Sequence, residues 1–186
     1  MNIQIKYKVV VAGNSRVGKT SLVERFTEGT FSETKSTIGV GFAIKDIHTV
    51  EKGKVRMQLW DFAGEDRFRI MLPKFCLGST GAMLVYDLTD PESFFGLNEW
   101  MDIIRQNTGE QNDKGEPVNI PIVFIGAKKD LLKDGERPIK QEYIDEFMEN
   151  YDIKTYFEIS NKTGENVEES FVELVKHMIE LSSFIK

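Results

Sequence analysis

The segment Gly13-Asn14-Ser15-Arg16-Val17-Gly18-Lys19-Thr20 fits the pattern G-x-x-x-x-G-K-[ST]; it follows the apolar run Val9-Val10-Val11 and opens a helical pattern. A strand that turns through a glycine-rich loop into a helix commits the chain to an α/β arrangement with an anion site at the turn. The glycines let the backbone curl so that successive N–H groups face one anion, and the helix adds the positive end of its dipole. Phosphate is the natural occupant. In this pattern Lys19 carries its ammonium to the β- and γ-phosphates, while the Thr20 hydroxyl takes one position on the accompanying Mg²⁺. Asn14, Ser15, Arg16, Val17, Gly18 and Ser21 complete the stretch expected to wrap the phosphates.

Composition narrows the remaining choices. With 186 residues and 40% hydrophobic content the chain lies in the range of one compact domain, so residues 1–186 are read as a single unit. A formal charge of −6 without a long Lys/Arg cluster argues against nucleic-acid binding. The only cysteine, Cys76, lies between Phe75 and Leu77 and reads as a buried, reduced thiol. No apolar run reaches the roughly 18 residues of a membrane span, and no basic leader precedes an apolar stretch, so a cytoplasmic location is expected. The last residues, Ser182-Ser183-Phe184-Ile185-Lys186, hold no cysteine to prenylate. No lipid anchor is therefore expected in this chain, and recruitment to membranes would rest on partners.

Three short continuous apolar runs, 9–12, 82–86 and 122–125, have the character of strands buried on both faces of a parallel sheet. From Gly41 to Asp61, Phe42/Ile44 and Val55/Met57/Leu59 alternate around Glu51-Lys52-Gly53-Lys54, as in a β-hairpin. Helical spacing marks residues 21–27, then Phe94/Leu97/Trp100/Ile103/Ile104, then Ile144/Phe147/Met148, and most clearly Val167/Phe171/Leu174/Val175/Met178/Leu181. The apolar members of these helices are read as core, and Glu165, Glu168 and Glu169 as a solvated face at a helix start. His48 and His177 have no partner at zinc-ligand spacing. Residues 107–119 read as a mobile polar loop, either a partner contact or tolerated length. Strands alternating with helices give a layered α/β sheet, with its ligand crevice beyond the carboxyl ends of the strands.

A second signal lies downstream. Trp60-Asp61-Phe62-Ala63-Gly64 carries D-x-x-G at the end of the hairpin's second strand. Asp61 there can hold Mg²⁺ through a water, and the Gly64 N–H can approach a γ-phosphate because no side chain obstructs it. Thr37, in the polar segment 32–39, completes the magnesium shell with its hydroxyl and meets the γ-phosphate through its backbone. Together these groups form a γ-phosphate sensor.

With these motifs on the page, the chain resembles the Ras superfamily of small GTPases, and the Rab branch most closely. The resemblance spans nearly the whole chain and rests also on Ser36-Thr37-Ile38-Gly39-Val40-Gly41-Phe42, Leu59-Trp60-Asp61-Phe62-Ala63-Gly64-Glu65-Asp66-Arg67-Phe68 and Met83-Leu84-Val85-Tyr86-Asp87-Leu88-Thr89. It implies a single G domain of the P-loop NTPase class: a mostly parallel six-stranded sheet with one antiparallel edge strand and helices on both faces. The guanine-reading pattern N-K-x-D is similar to Ala127-Lys128-Lys129-Asp130, with Leu131 beside it, and the S-A-K loop to Ser160-Asn161-Lys162. By that resemblance Asp130 accepts from the guanine N1–H and 2-amino group, Lys128 and Lys162 lie against the base plane, Phe31 stands beside it, and the Asn161 N–H meets O6. The resemblance further implies GTP and GDP as ligands, Mg²⁺ as cofactor, a monomer, and exchange factors, GTPase-activating proteins and effectors as partners. Phe42, Trp60 and Phe75 correspond to an aromatic triad shown to effectors, the alternative being packing under the switch.

Some positions depart from the pattern. Glu65 stands where relatives orient the attacking water with glutamine; its carboxylate can accept a proton from that water but cannot donate to the phosphoryl oxygens and repels their charge. Either slow hydrolysis or a binding module without turnover follows. Ala127 replaces the asparagine that contacts the base and braces the phosphate loop, so weaker nucleotide retention is expected, with specificity kept by Asp130. The first switch, between Phe31 and Thr37, is one residue short and lacks a tyrosine often found there. Arg16 either aids the phosphates in cis or points into solvent. A P-loop kinase or ATPase would need a different base-reading loop. On this reading Lys19, Thr37, Gly64 and Glu65 carry the catalytic roles.

Overall fold

The computed structural model describes residues 5–32, 37–111, 114–133 and 136–184, with β1 (Ile5–Ala12) near the middle of a six-stranded sheet. Its alternation explains the layering: Val9 and Val11 belong to one core and Val10 and Ala12 to the other, as the two-residue period of a strand requires. After the glycine-rich turn, α1 (Lys19–Glu28) buries Leu22, Val23 and Phe26, and ends at Gly29, whose left-handed backbone (φ 73°) lets its N–H reach the Arg25 carbonyl. The expected hairpin forms as β2 (Val40–Thr49) and β3 (Gly53–Phe62). Asp46 and Arg56 face each other across it in a two-bond pair at 2.7 and 2.8 Å, joined by Lys54 at 2.9 Å. These cations hold the Asp46 carboxyl well below the usual carboxylate range.

The chain continues through the short helices α2 (Asp66–Arg69) and α3 (Leu72–Cys76) into β4 (Gly81–Asp87), which is buried throughout. Cys76 is buried and free, and burial pushes its thiol up to about 11. The helical spacing from Phe94 to Ile104 belongs to two helices, α4 (Pro91–Phe95) and α5 (Leu97–Asn107). They part at Gly96, where any β-carbon would lie 2.5 Å from the side-chain nitrogen of Asn14 on the phosphate loop. Within the expected 107–119 loop, β5 (Glu110–Gln111) and β6 (Pro117–Val118) pair as a small antiparallel ribbon, so this stretch is not structureless; left-handed Gly109 and Gly115 provide its turns. β7 (Ile122–Ala127), a 3₁₀ turn at Lys129–Leu131, α6 (Gln141–Asn150), β8 (Thr155–Glu158) and α7 (Val167–Phe184) follow. Glu165 pairs with Lys129, so it is an ion-pair partner of the 3₁₀ turn and not a bare solvated charge.

The sheet order is β2-β3-β1-β4-β7-β8, with β2–β3 antiparallel and the other pairs parallel. Helices α1 and α7 cover one face, where Phe26 stacks on Phe171 with ring centres 3.9 Å apart. Helices α3 to α6 cover the other around Trp100, Phe124 and Phe147. The carboxyl ends of β1, β3, β4, β7 and β8 therefore deliver loops 13–18, 63–65, 88–90, 128–131 and 159–166 to one edge of the sheet.

Candidate functional site

The phosphate loop is held by close backbone approaches that its glycines permit. Gly13 (φ 141°) lies so near β4 that a β-carbon would be 2.1 Å from the Val85 carbonyl oxygen, and Gly18 (φ 105°) starts α1. Lys19, only 5% exposed, folds back over the loop and donates to the Asn14 carbonyl at 2.6 Å. Burial lowers its pKa to about 8, partly offset by nearby Asp61. Arg16 is exposed, with a left-handed backbone (φ 64°), and also lines the cavity.

Three oxygen donors from three segments converge beside this lysine. The Thr20 hydroxyl donates to Asp61 Oδ2 at 2.5 Å and touches the Thr37 hydroxyl, which itself stands 3.4 Å from the same carboxylate oxygen. Asp61 Oδ1 is buried with no hydrogen-bond partner among the described residues. Burial raises the Asp61 pKa, against the Thr20 hydroxyl and the Lys19 charge. Hard oxygen donors, one of them a buried and incompletely satisfied carboxylate, suit a divalent cation such as Mg²⁺. Gly64 closes against the same loop: a β-carbon there would lie 2.1 Å from the Ser15 nitrogen.

A cavity of about 440 Å³ runs from these groups to the loops after β7 and β8. Ser15, Gly18, Lys19, Thr20, Ser21, Thr37 and Gly64 line its first end; Phe31, Lys128, Asp130, Leu131, Asn161 and Lys162 line the rest. Ser160 Oγ donates to Asp130 Oδ1 at 2.6 Å and is itself buried, so it orients the carboxylate from behind. Lys128, in a left-handed conformation, is paired with Asp87 Oδ2 at 2.6 Å. The stretch 33–36 of the expected first switch lies outside the described residues.

Five of the expected site residues, Asn14, Val17, Asp61, Glu65 and Ser160, do not line the cavity; Asp61 and Ser160 reach it through Thr20 and Asp130. Asn14 Oδ1 accepts from the Trp100 indole at 2.8 Å, behind the loop, and the Val17 side chain packs in the core, so only their backbones share the curl. Glu65 precedes α2 and is not among the cavity-lining residues. Other contributors escape sequence reasoning. Asp87 anchors Lys128, and Arg25 donates through Nε to the Asn161 carbonyl at 2.7 Å and through its guanidinium to the Lys162 carbonyl. Asp87 at a strand end was the one visible hint; Arg25 reads as an ordinary polar helix position.

A family model described as Ras family matches residues 8–180. The chain belongs to the Ras family. Similar curated proteins are Ras-related proteins of the Rab type. RabF1 of Dictyostelium discoideum is 39% identical over 170 residues, covering 91% of this chain and 83% of that protein. Human Rab-30 is 37% identical and bovine Rab-13 33% identical, each over 174 residues that cover 93% of this chain and 80% of the relative. The α/β sheet with one antiparallel pair and helices agrees with this membership. On this Ras-family scaffold Phe42 is 52% exposed and meets the half-buried Trp60 edge-on, with ring centres 5.0 Å apart. Half-buried Phe75 follows at 5.6 Å from Trp60; Phe42 is open to solvent, while Trp60 and Phe75 also pack on the core. Among the described residues no helix is long and apolar enough to cross a membrane.

Proposed function

We propose that the chain is a guanine-nucleotide switch, a single G domain that binds GDP and GTP with Mg²⁺ and hydrolyses GTP slowly. The observation that carries this reading is one cavity running from Lys19, Thr20 and Thr37, the last two in contact with Asp61, at one end to Asp130 at the other. Asp130 selects guanine by accepting its N1–H and 2-amino donors, which adenine does not offer. Thr20, Thr37 and Asp61 would hold Mg²⁺, which supplies positive charge to the phosphate oxygens. Lys19 neutralises the β- and γ-phosphates, and the Gly64 and Thr37 backbones sense the γ-phosphate. Its presence or loss then orders or releases the loops that carry Thr37 and Gly64. Output runs through effectors that meet Phe42, Trp60 and Phe75, with exchange factors and GTPase-activating proteins setting the state, in a cytoplasmic trafficking or signalling role with recruitment to membranes by partners.

Glu65 is the reason for slow turnover, and it also supports the second reading, a nucleotide-gated binding module without hydrolysis. Its carboxylate accepts from an attacking water but repels the phosphoryl charge. Single-turnover hydrolysis of bound GTP with Mg²⁺ separates the two. We expect GDP to accumulate, Lys19→Ala and Thr20→Ala to abolish this, and Glu65→Gln to raise the rate. An unchanged or lower rate in Glu65→Gln sinks the electrostatic account; GTP that stays intact for hours selects the binding module.

A further inference from the structure

Ala127, at the end of β7, offers the phosphate loop only a methyl group: its β-carbon lies 3.9 Å from where a Gly18 β-carbon would stand. The polar link between the base-reading and phosphate loops comes from the other side. Asn161 Nδ2 donates to the Gly18 carbonyl at 3.0 Å, across 143 residues of sequence. The same carbonyl accepts the first helical N–H of α1, from Leu22 at 2.9 Å, so the Asn161 amide grips the hinge where the loop becomes helix. Asn161 is 95% buried by its 5% exposure, lines the cavity, and its Oδ1 has no hydrogen-bond partner among the described residues. Burying a half-satisfied amide costs folding free energy, which points to a task other than packing. Arg25 of α1 reinforces the link through the Asn161 and Lys162 carbonyls.

We infer that Asn161 is a positioning residue whose side-chain amide straps the base-reading loop to the phosphate loop, in the role that Ala127 cannot fill, and so prolongs the residence of a nucleotide spanning both. The inference rests on the reading of the cavity as a guanine-nucleotide site. A ligand held at both ends leaves when the two half-sites separate, and a strap that keeps them at one spacing lets a released end rebind before the other lets go. Weaker retention, expected from Ala127 alone, is thereby offset from a second loop.

The test follows release of a fluorescent GDP analogue, with Mg²⁺ and excess unlabelled GDP, from wild type, Asn161→Ala, Asn161→Asp and Asn161→Ala/Ala127→Asn. Loss of one net hydrogen bond predicts release about fivefold faster for Asn161→Ala. Asn161→Asp keeps the volume but turns an acceptor towards the Gly18 carbonyl, so roughly tenfold or more is expected. Ala127→Asn restores an amide beside Gly18 and should return the Asn161→Ala rate to within about twofold of wild type. Release at the wild-type rate from both single variants overturns the strap, and so does acceleration that Ala127→Asn does not reverse, because lost packing then explains it. Should Asn161→Ala fold poorly, Asn161→Ser with and without Ala127→Asn takes its place: fast release that Ala127→Asn reverses supports the strap, and wild-type release or unreversed acceleration overturns it. Failure of the nucleotide reading itself looks different, since wild type would then retain no labelled GDP.

Discussion

Gly13 and Gly64 would each bring a β-carbon within 2.1 Å of a backbone atom, yet the consequences of filling the two spaces differ. Gly13 is pinned between β1 and β4 with φ 141°, so alanine meets both a collision and a backbone angle that L-residues avoid. Gly13→Ala should lose about 3 kcal/mol or more of stability, seen as a shifted urea midpoint at constant slope. Gly64 has no such angle and sits on the loop between β3 and α2. If this loop is the proposed switch, Gly64→Ala should keep its urea midpoint within about 0.5 kcal/mol while losing most of its GTP hydrolysis, because the proposed approach of the Gly64 N–H to the phosphate is blocked. A large fall in the stability of Gly64→Ala would show that this contact belongs to the fold and not to the switch. Both glycines were legible, since a motif names them. Gly96 was not, because its close approach is to Asn14, 82 positions away, and spacing along the chain does not report it.

At the scale of elements, the informative contact joins α2, α5 and the phosphate loop. The guanidinium of Arg69 on α2 lies 5.1 Å from the Trp100 ring centre and pairs with Glu99, while the Trp100 indole donates to Asn14 Oδ1. The helix after Gly64 is thus tied to the phosphate loop through one buried tryptophan. Trp100→Phe keeps a ring under Arg69 and in the core but removes the N–H, leaving Asn14 Oδ1 without that donor. A cost of about 1–2 kcal/mol in chemical denaturation is expected, with faster GDP release as the phosphate loop loosens; unchanged values in both would reduce the contact to packing. Helical spacing correctly placed Trp100 in the core, but its polar edge was invisible, because a partner 86 residues distant has no local signature. Likewise β8 escaped the strand reading: its four residues are all half-buried, so neither a buried run nor a clean alternation marks them. The strands with continuous apolar runs were readable for the opposite reason, since burial on both faces leaves no polar positions to blur the pattern.

Across the whole molecule the two cores lie on opposite faces of the sheet, while the cavity draws on loops from five separate stretches of chain. On the proposed reading a ligand there would join segments that packing alone leaves to separate loops, and would relieve two internal costs, the buried Lys19 ammonium and the partly satisfied Asp61 carboxylate. Binding to the folded chain alone adds RT ln(1 + [L]/Kd), about 2.7 kcal/mol at one hundred times Kd. For a domain of this length that corresponds to a rise in Tm of roughly 5–10 °C. GDP with Mg²⁺ should produce it, and ATP at the same concentration should leave Tm unmoved, since adenine gives Asp130 no donors. Chelating the Mg²⁺ with EDTA while GDP stays in excess should remove a large part of the rise, if Thr20, Thr37 and Asp61 hold the ion as proposed. Asp61→Ala separates the two effects: its ligand-free form escapes the cost of the buried carboxylate, while its GDP-dependent rise becomes insensitive to EDTA. A rise equal for ATP and GDP would instead mean that only the phosphate end is engaged, and Asp130 would lose the role assigned to it.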